Sequence, residues 1–230
     1  MKQRLFSLLL TLLTLCPAAI AAKRPRVCLE TSLGKIVIEL FNETPRHRDN
    51  FLRLVREGYY DGLLFHRVIE NFMIQTGDPD SRNAPAGKKL GEGGPNYTLP
   101  IEIGLPYFFH CRGAVAAARE GDEVNPKRES SGSQFYIVWG KRYSTAELQK
   151  MRQHVQDMTG GAADFTEEME NTYRRDGGTP FLDGQYTVFG RVVKGLKIVD
   201  HIQQADTDAN DRPMTDIRII RATIIGGKKQ

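Results

Sequence analysis

Residues 65–79, from Phe65 to Pro79, read FHRVIENFMIQTGDP. Leu63–Val68 and Phe72–Thr76 are rich in β-branched and aromatic residues, so the stretch reads as a pair of strands. Arg67 sits among Phe65, Phe72 and Met73, with the amide of Gln75 nearby. A guanidinium keeps its proton at any ordinary pH and presents a planar fork of donors. Beside large apolar side chains, such a fixed cation can hold an uncharged, proline-like group and polarise the amide next to it.

Upstream, Val27–Thr31 and Lys35–Phe41 flank Ser32-Leu33-Gly34, a hairpin by composition and spacing. Thr44-Pro45 marks a helix start, with threonine as the cap and proline at the first helical position. Phe51, Leu52 and Val55 keep to one face of that helix and Gly58 ends it, while His47 in its first turns reads as a solvated surface residue. Downstream, residues 78–100 are dense in Gly, Pro, Asn and Lys and read as loop. Gly113–Ala118 is a small-residue strand and Gln134–Trp139 a bulky one, a pairing suited to the interior of a closed, tapering barrel.

Between Gly140 and Gly178 the composition changes. Leu148, Met151 and Val155 recur at a helical period within Thr145–Met158, with Ser144 or Thr145 as cap. Phe165–Arg175 is a second, highly charged helix that reads as a solvated face. A hairpin around Asp183-Gly184, a strand over Thr187–Val193, a helix over Gly195–Gln203 and a closing strand over Ile217–Ile225 complete the pass. About eight strands, two spaced helices and a late helical excursion describe a mainly-β domain.

At the start, Lys2 and Arg4 precede an apolar run over Leu5–Leu15, and Ala19–Ala21 offers a small-residue cleavage site. That pattern is a secretory signal peptide over residues 1–21, and the run is too short for a permanent membrane span. Cys16 follows Leu15, where a lipid-attachment site wants a small residue, so cleavage near Ala21 is expected over a lipid anchor. Either outcome exports the protein to a periplasm or beyond the cell. Removing Lys2 and Arg4 from the formal charge of +4 leaves about +2, too weak to imply a nucleic-acid partner. Cys28 and Cys111 read as separate core thiols, and a monomer is expected.

Other chemistries find little support. The run Gly91-Glu92-Gly93-Gly94 lacks the flanking strand, helix and Lys-Ser/Thr of a phosphate cradle. His47, His66, His110, His154 and His201 show no metal-ligand spacing, and Ser130-Ser131-Gly132-Ser133 lacks the serine-hydrolase elbow. No metal and no cofactor is expected. His66 reads as structural, its ring satisfied by hydrogen bonds, and Phe65 as core.

The blocks FHRVI, NFMIQ and GDP, followed by GSQFYIV and TPFLDGQYTVFGRV, resemble the cyclophilin-type peptidyl-prolyl isomerases in content and order. The resemblance covers residues 22–230 except an insert at about 140–178, and points to a secreted or periplasmic bacterial member. It implies a closed eight-stranded antiparallel β-barrel capped by two α-helices, with the helical insert added. It implies proline-containing polypeptides as substrates, here exported proteins. Arg67 would be the arginine that stabilises the twisted amide. Phe72, Met73, Gln75, Ala118, Arg119, Gln134, Tyr136, Phe181, Leu182 and Tyr186 would bind substrate, Ala118 through its backbone.

Four positions depart from the commoner family pattern, one of them Arg119, which stands where many members carry asparagine. Phe181 stands where many members carry tryptophan, which implies weak binding of the drug cyclosporin. Tyr186 replaces a frequent histidine, and Tyr136 adds a hydroxyl where phenylalanine is usual. The insert raises a rival reading from another functional class, a proline-peptide binding or holdase module whose helical hairpin docks a partner.

Overall fold

The computed structural model describes residues 23–226. The expected signal segment, with Cys16, lies outside the described residues. Strands β1 (Arg26–Thr31) and β2 (Gly34–Leu40) form the expected hairpin, and helix α1 (Pro45–Arg56) follows. The stretch that decides the fold supplies β3 (Arg67–Ile69) and β4 (Met73–Thr76). A two-stranded ribbon of β5 (Thr98–Leu99) and β7 (Ser130–Ser131) brackets β6 (Ala114–Ala117), and β8 (Phe135–Val138) comes next. Helices α2 (Thr145–Thr159) and α3 (Glu167–Arg175) form the insert. Strand β9 (Val188–Lys194), helix α4 (Leu196–Gln203) and strand β10 (Ile219–Ile225) complete the order.

Eight strands make one antiparallel sheet in the order β10-β1-β2-β9-β6-β8-β4-β3. Its edges meet through the residues just ahead of β3: the Phe65 amide donates to the Ile217 carbonyl and the Ile219 amide to the Leu63 carbonyl. The sheet thus curls around a core that includes Leu29, Ile36, Ile38, Val68, Ile74, Val115, Phe135 and Ile137. Phe51, Leu54 and Val55 of α1 and Val199 and Ile202 of α4 belong to the same cluster, so these helices seal it. No helix among the described residues is long and apolar enough to cross a membrane.

Side chains on the central strands alternate between two buried clusters. Phe135, Ile137, Val115 and Ala117 join the barrel core, whereas Tyr136, Val138, Ala114, Ala116 and Ala118 join a second cluster with Met73 and Val188. The small residues of β6 were expected to face bulky ones inside the barrel. Period-two alternation instead sends three of the four alanines of residues 114–118 to the opposite face, where their size leaves room for a groove.

Helix α1 starts at Pro45 as expected, but Thr44 makes no side-chain cap. The Glu102 carboxylate, arriving from a distant loop, accepts from the amides of Arg46 (3.2 Å) and His47 (3.1 Å) instead. A carboxylate there satisfies two orphan amides and meets the positive end of the helix dipole. His47 is not a surface residue: it lies one turn before Phe51, is buried, and its Nδ1 sits 2.6 Å from Glu102 Oε2. Burial lowers its pKa, partly opposed by Glu102.

The insert is a small module with its own core. Leu148 and Val155 are buried with Tyr143, Ala163, Phe165, Met169 and Tyr173, and Leu105 and Phe109 pack against them. The charged helix α3 is not simply a solvated face, because Met169 and Tyr173, one turn apart, are fully buried. The neck is closed by glycines: a Cβ on Gly140 would lie 2.0 Å from the Gly178 carbonyl oxygen. Ser144 and Glu147 form a reciprocal capping box on α2. Ser144→Ala is expected to cost about 1 kcal/mol, seen as a Tm lower by about 2–4 °C. An unchanged Tm would mean that the box contributes nothing.

Candidate active site

Arg67 and Gln75 stand directly opposite one another on β3 and β4, and Gln75 pairs in turn with Tyr136 on β8. Register therefore brings the cation, the amide and the aromatic ring to one face of three neighbouring strands. They line a cavity of about 280 Å³ with His66, Phe72, Met73, Leu90, Gly91, Glu92, Ala118, Arg119, Leu182 and Tyr186. Phe72, Met73, Tyr136, Leu182 and Tyr186 supply an apolar surface in the second buried cluster. The cavity lies on the outer face of the barrel, opposite the core.

The two arginines on this cavity differ in how much of their donor capacity is used. Arg119 donates through Nε to the Gln185 carbonyl and through Nη1 to the Glu120 carbonyl and Asp122 Oδ1. Its guanidinium also stacks 4.4 Å from the Tyr186 ring centroid, so it buttresses that ring. Arg67 donates through Nε to Asp211 Oδ2 at 3.3 Å and remains half-exposed. This contact engages the guanidinium at its Nε edge and uses neither Nη group. Asp211 occupies a left-handed turn (φ 60°), and its carbonyl accepts from the Val68 amide at 2.8 Å. Nothing in the sequence around Asp211 marks it, since 144 residues separate it from Arg67.

Gln75 is oriented by a chain of amides. Gln134 Nε2 donates to the carbonyls of Gly91 (2.9 Å) and Gly93 (2.7 Å), so its Oε1 must face Gln75 Nε2, 3.0 Å away. Gln134 is thus buried behind the cavity and acts on it through Gln75. Phe181 also stands back from the lining, its ring 5.7 Å from that of Phe72. Ala118 lines the cavity, yet its amide donates to the Gln134 carbonyl and its own carbonyl accepts from Ser131. Both of its backbone groups are therefore paired within the protein. Leu90, Gly91 and Glu92 were hidden in an aperiodic loop, where hydrophobic patterning carries no signal.

His66 departs from expectation. It is buried on the cavity wall, and neither ring nitrogen has a hydrogen-bond partner among the described residues. Burial pushes its pKa down to about 4, with Asp78 opposing and Arg67 reinforcing the shift. At neutral pH it adds no second charge beside Arg67. The expected hairpin at Asp183-Gly184 is likewise absent. A single 3-10 turn over Pro180–Leu182 precedes these residues, and Asp183 is fully buried.

A curled eight-stranded antiparallel sheet sealed by α1 and α4, with this cavity on its outer face, matches one known family. Residues 26–224 match the description "Cyclophilin type peptidyl-prolyl cis-trans isomerase/CLD". The chain belongs to the cyclophilin-type peptidyl-prolyl cis-trans isomerases. This cyclophilin is 33% identical over 202 residues to peptidyl-prolyl cis-trans isomerase CYP18-1 of Arabidopsis thaliana, covering 86% of this chain and 94% of that one. It is 34% identical over 200 residues to a Streptococcus pyogenes protein whose name pairs a phosphatase with a peptidyl-prolyl isomerase. That match covers 85% of this chain and 37% of the longer relative. A crystal structure of a Cryptosporidium parvum cyclophilin type isomerase superposes with a TM-score of 0.61 at 25% identity, covering 89% and 99% of the two chains. The same isomerase in the presence of the dipeptide Ala-Pro gives 0.60 at 25% identity, covering 88% and 99%. The cyclophilin fold and its isomerase activity follow for this chain.

Proposed function

We propose that this cyclophilin accelerates X-Pro rotation in exported polypeptides, with Arg67 stabilising the twisted amide and the apolar cavity wall holding the proline ring. The observation that carries the mechanism is the contrast between the two cavity arginines. Arg119 spends its donors within the protein, and Arg67 is held by one Nε contact. Rotation faces a barrier of about 18–20 kcal/mol because the amide loses resonance at the perpendicular geometry. The prolyl nitrogen then regains a lone pair that an Nη–H can approach. No covalent bond breaks, so neither a nucleophile nor an acid–base pair is called for.

Met73, Phe72, Leu182 and the rings of Tyr136 and Tyr186 offer an apolar seat for the proline ring. Gln75, whose Nε2 donates to Gln134, would accept through its Oε1 from a peptide N–H beside the proline. Export rests on the basic, apolar and small-residue pattern over residues 1–21. The rival reading, in which the insert docks a partner through its apolar stripe, is disfavoured because Leu148 and Val155 are buried in the insert's own core.

The test is isomerisation of a short Ala-Pro peptide by the chain from residue 22 onward, followed as a cis-to-trans relaxation. Acceleration proportional to enzyme concentration, blocked by excess unlabelled Ala-Pro peptide, is the expected result. A well-folded protein that leaves the rate at the uncatalysed tens to hundreds of seconds would overturn this reading of the cavity.

A further inference from the structure

Tyr136 carries the hydroxyl that sets it apart from the phenylalanine expected on the cavity wall, and that hydroxyl does not face the cavity. It lies 3.0 Å from Nε2 of His110. His110 Nδ1 lies 2.8 Å from Asp183 Oδ1, which also accepts from the His110 amide at 2.9 Å. Asp183 Oδ2 accepts from the hydroxyl of Tyr173 at 2.6 Å. Tyr173 belongs to α3 of the insert. Tyr136, His110, Asp183 and Tyr173 are all buried, the last three completely.

The direction of this chain follows from its donors. A carboxylate only accepts, so Nδ1 of His110 carries the proton toward Asp183, and in that tautomer Nε2 accepts from Tyr136. The Tyr173 hydroxyl and the imidazole therefore donate to one buried carboxylate, and the Tyr136 hydroxyl donates to the imidazole. A buried carboxylate is tolerable only when hydrogen-bonded, and Tyr173 supplies the donor on Oδ2. Asp183 also follows Leu182, which itself lines the cavity. The insert meets this turn a second time, because a Cβ on Gly184 would lie 2.8 Å from Thr159 Cγ2 and 2.9 Å from Ala163 Cβ.

We propose that the insert sets the position of the rear wall of the proline pocket through the buried chain Tyr173–Asp183–His110–Tyr136. Tyr173, Asp183 and His110 are then positioning residues for substrate binding, acting through Tyr136. The inference rests on the cavity being the proline site. It gives the insert a role within the enzyme, and it accounts for the Tyr136 hydroxyl as an attachment point.

Tyr173→Phe is the test, since it removes one hydroxyl and keeps the ring that packs on Phe109, Tyr143 and Phe165. Its KM for an Ala-Pro peptide is expected to rise about three- to tenfold with kcat within about twofold, the scale of one hydrogen bond. In a Tyr136→Phe background the same substitution should leave KM nearly unchanged, because the chain is already cut. Val155→Ala loosens the insert core while keeping every hydrogen-bonding group of the chain, and should lower Tm at wild-type KM. A Tyr173→Phe enzyme with lowered Tm and unchanged KM, or with the same KM effect in both backgrounds, overturns the proposal.

A second measurement is independent of turnover. In protein carrying ¹³C-labelled tyrosine, the Tyr136 ring signal, assigned by its loss in Tyr136→Phe, should shift in Tyr173→Phe and stay in place in Arg67→Ala. A Tyr136 signal that ignores Tyr173→Phe also overturns the proposal. Should the wild type turn over no peptide, the proline-site reading fails, and the Tyr136 signal alone still decides whether α3 positions this wall.

Discussion

Arg67→Ala is expected to lower kcat/KM for an Ala-Pro peptide by about 10²–10³, with the Tm almost unchanged. The magnitude is that of removing one preorganised donor from a partly dehydrated site, about 2.7–4 kcal/mol. The Tm expectation has a separate basis. Arg67 is half-exposed and its contact with Asp211 is a partly solvated ion pair at 3.3 Å, a class that contributes about 0–1 kcal/mol. Activity and stability are thus separable at this residue. Arg67→Lys keeps the charge but replaces a planar fork with a point charge on a flexible stem, so it should recover only part of the loss. A fall of less than about fivefold in Arg67→Ala, measured against a wild type of equal Tm, would remove Arg67 from the mechanism.

Asp211 refines this expectation. Its carboxylate fixes the guanidinium through Nε, and its own carbonyl is fixed by the Val68 amide on β3. The strand that carries Arg67 therefore also anchors the turn that orients it. Arg212, next in sequence, is buried and donates to the carbonyls of Ala84 and Pro85 and to Asp216. Orientation of the cation is thereby built into backbone geometry, which suits a group whose part is electrostatic.

How much of this was legible in the sequence depended on the range of the signal. The strands around Arg67 and the helix over residues 45–56 were readable because alternation and capping residues act locally. The split of β6 and β8 between two buried faces was not readable, since residue size alone does not say which face is core when both are buried. His47 looked polar and therefore solvated, although it lies one turn before Phe51 on the buried face of α1. Asp183 looked like a turn residue because Asp-Gly commonly is one. Its partners, His110 and Tyr173, stand 73 and 10 residues away, and only the closed neck of the insert brings the latter alongside. Glu102 on the α1 amides and Asp211 on Arg67 were missed for the same reason, because tertiary capping and ion pairing have no sequence period.

Protonation of His66 is expected to lower the stability of this protein as pH falls from about 6.5 to about 4. The imidazole titrates at 6.5 when solvated and at about 4 in the folded chain, chiefly because burial disfavours the cation. Between those values the unfolded chain binds the extra proton, so stability falls as pH falls. The contribution is fully present above about pH 7, declines from about 6.5, and is gone below about 4. At about 1.4 kcal/mol per pH unit, the whole window amounts to about 3 kcal/mol. His47 is shifted in the same direction, so the comparison must be between wild type and His66→Gln, which retains His47. The difference in unfolding free energy between the two proteins should change by about 3 kcal/mol between pH 7 and pH 4, measured by urea unfolding. Most of that change should come above pH 4.5, before carboxylates such as Glu39 and Asp122, whose pKa values are lowered by arginine partners, begin to titrate. An imidazole signal from His66 titrating near 6.5 in the folded protein would refute the prediction. The same protonation would place a second cation beside Arg67, within a cavity whose proposed chemistry uses one. Loss of turnover should therefore follow the His66 titration even under conditions where the fold survives.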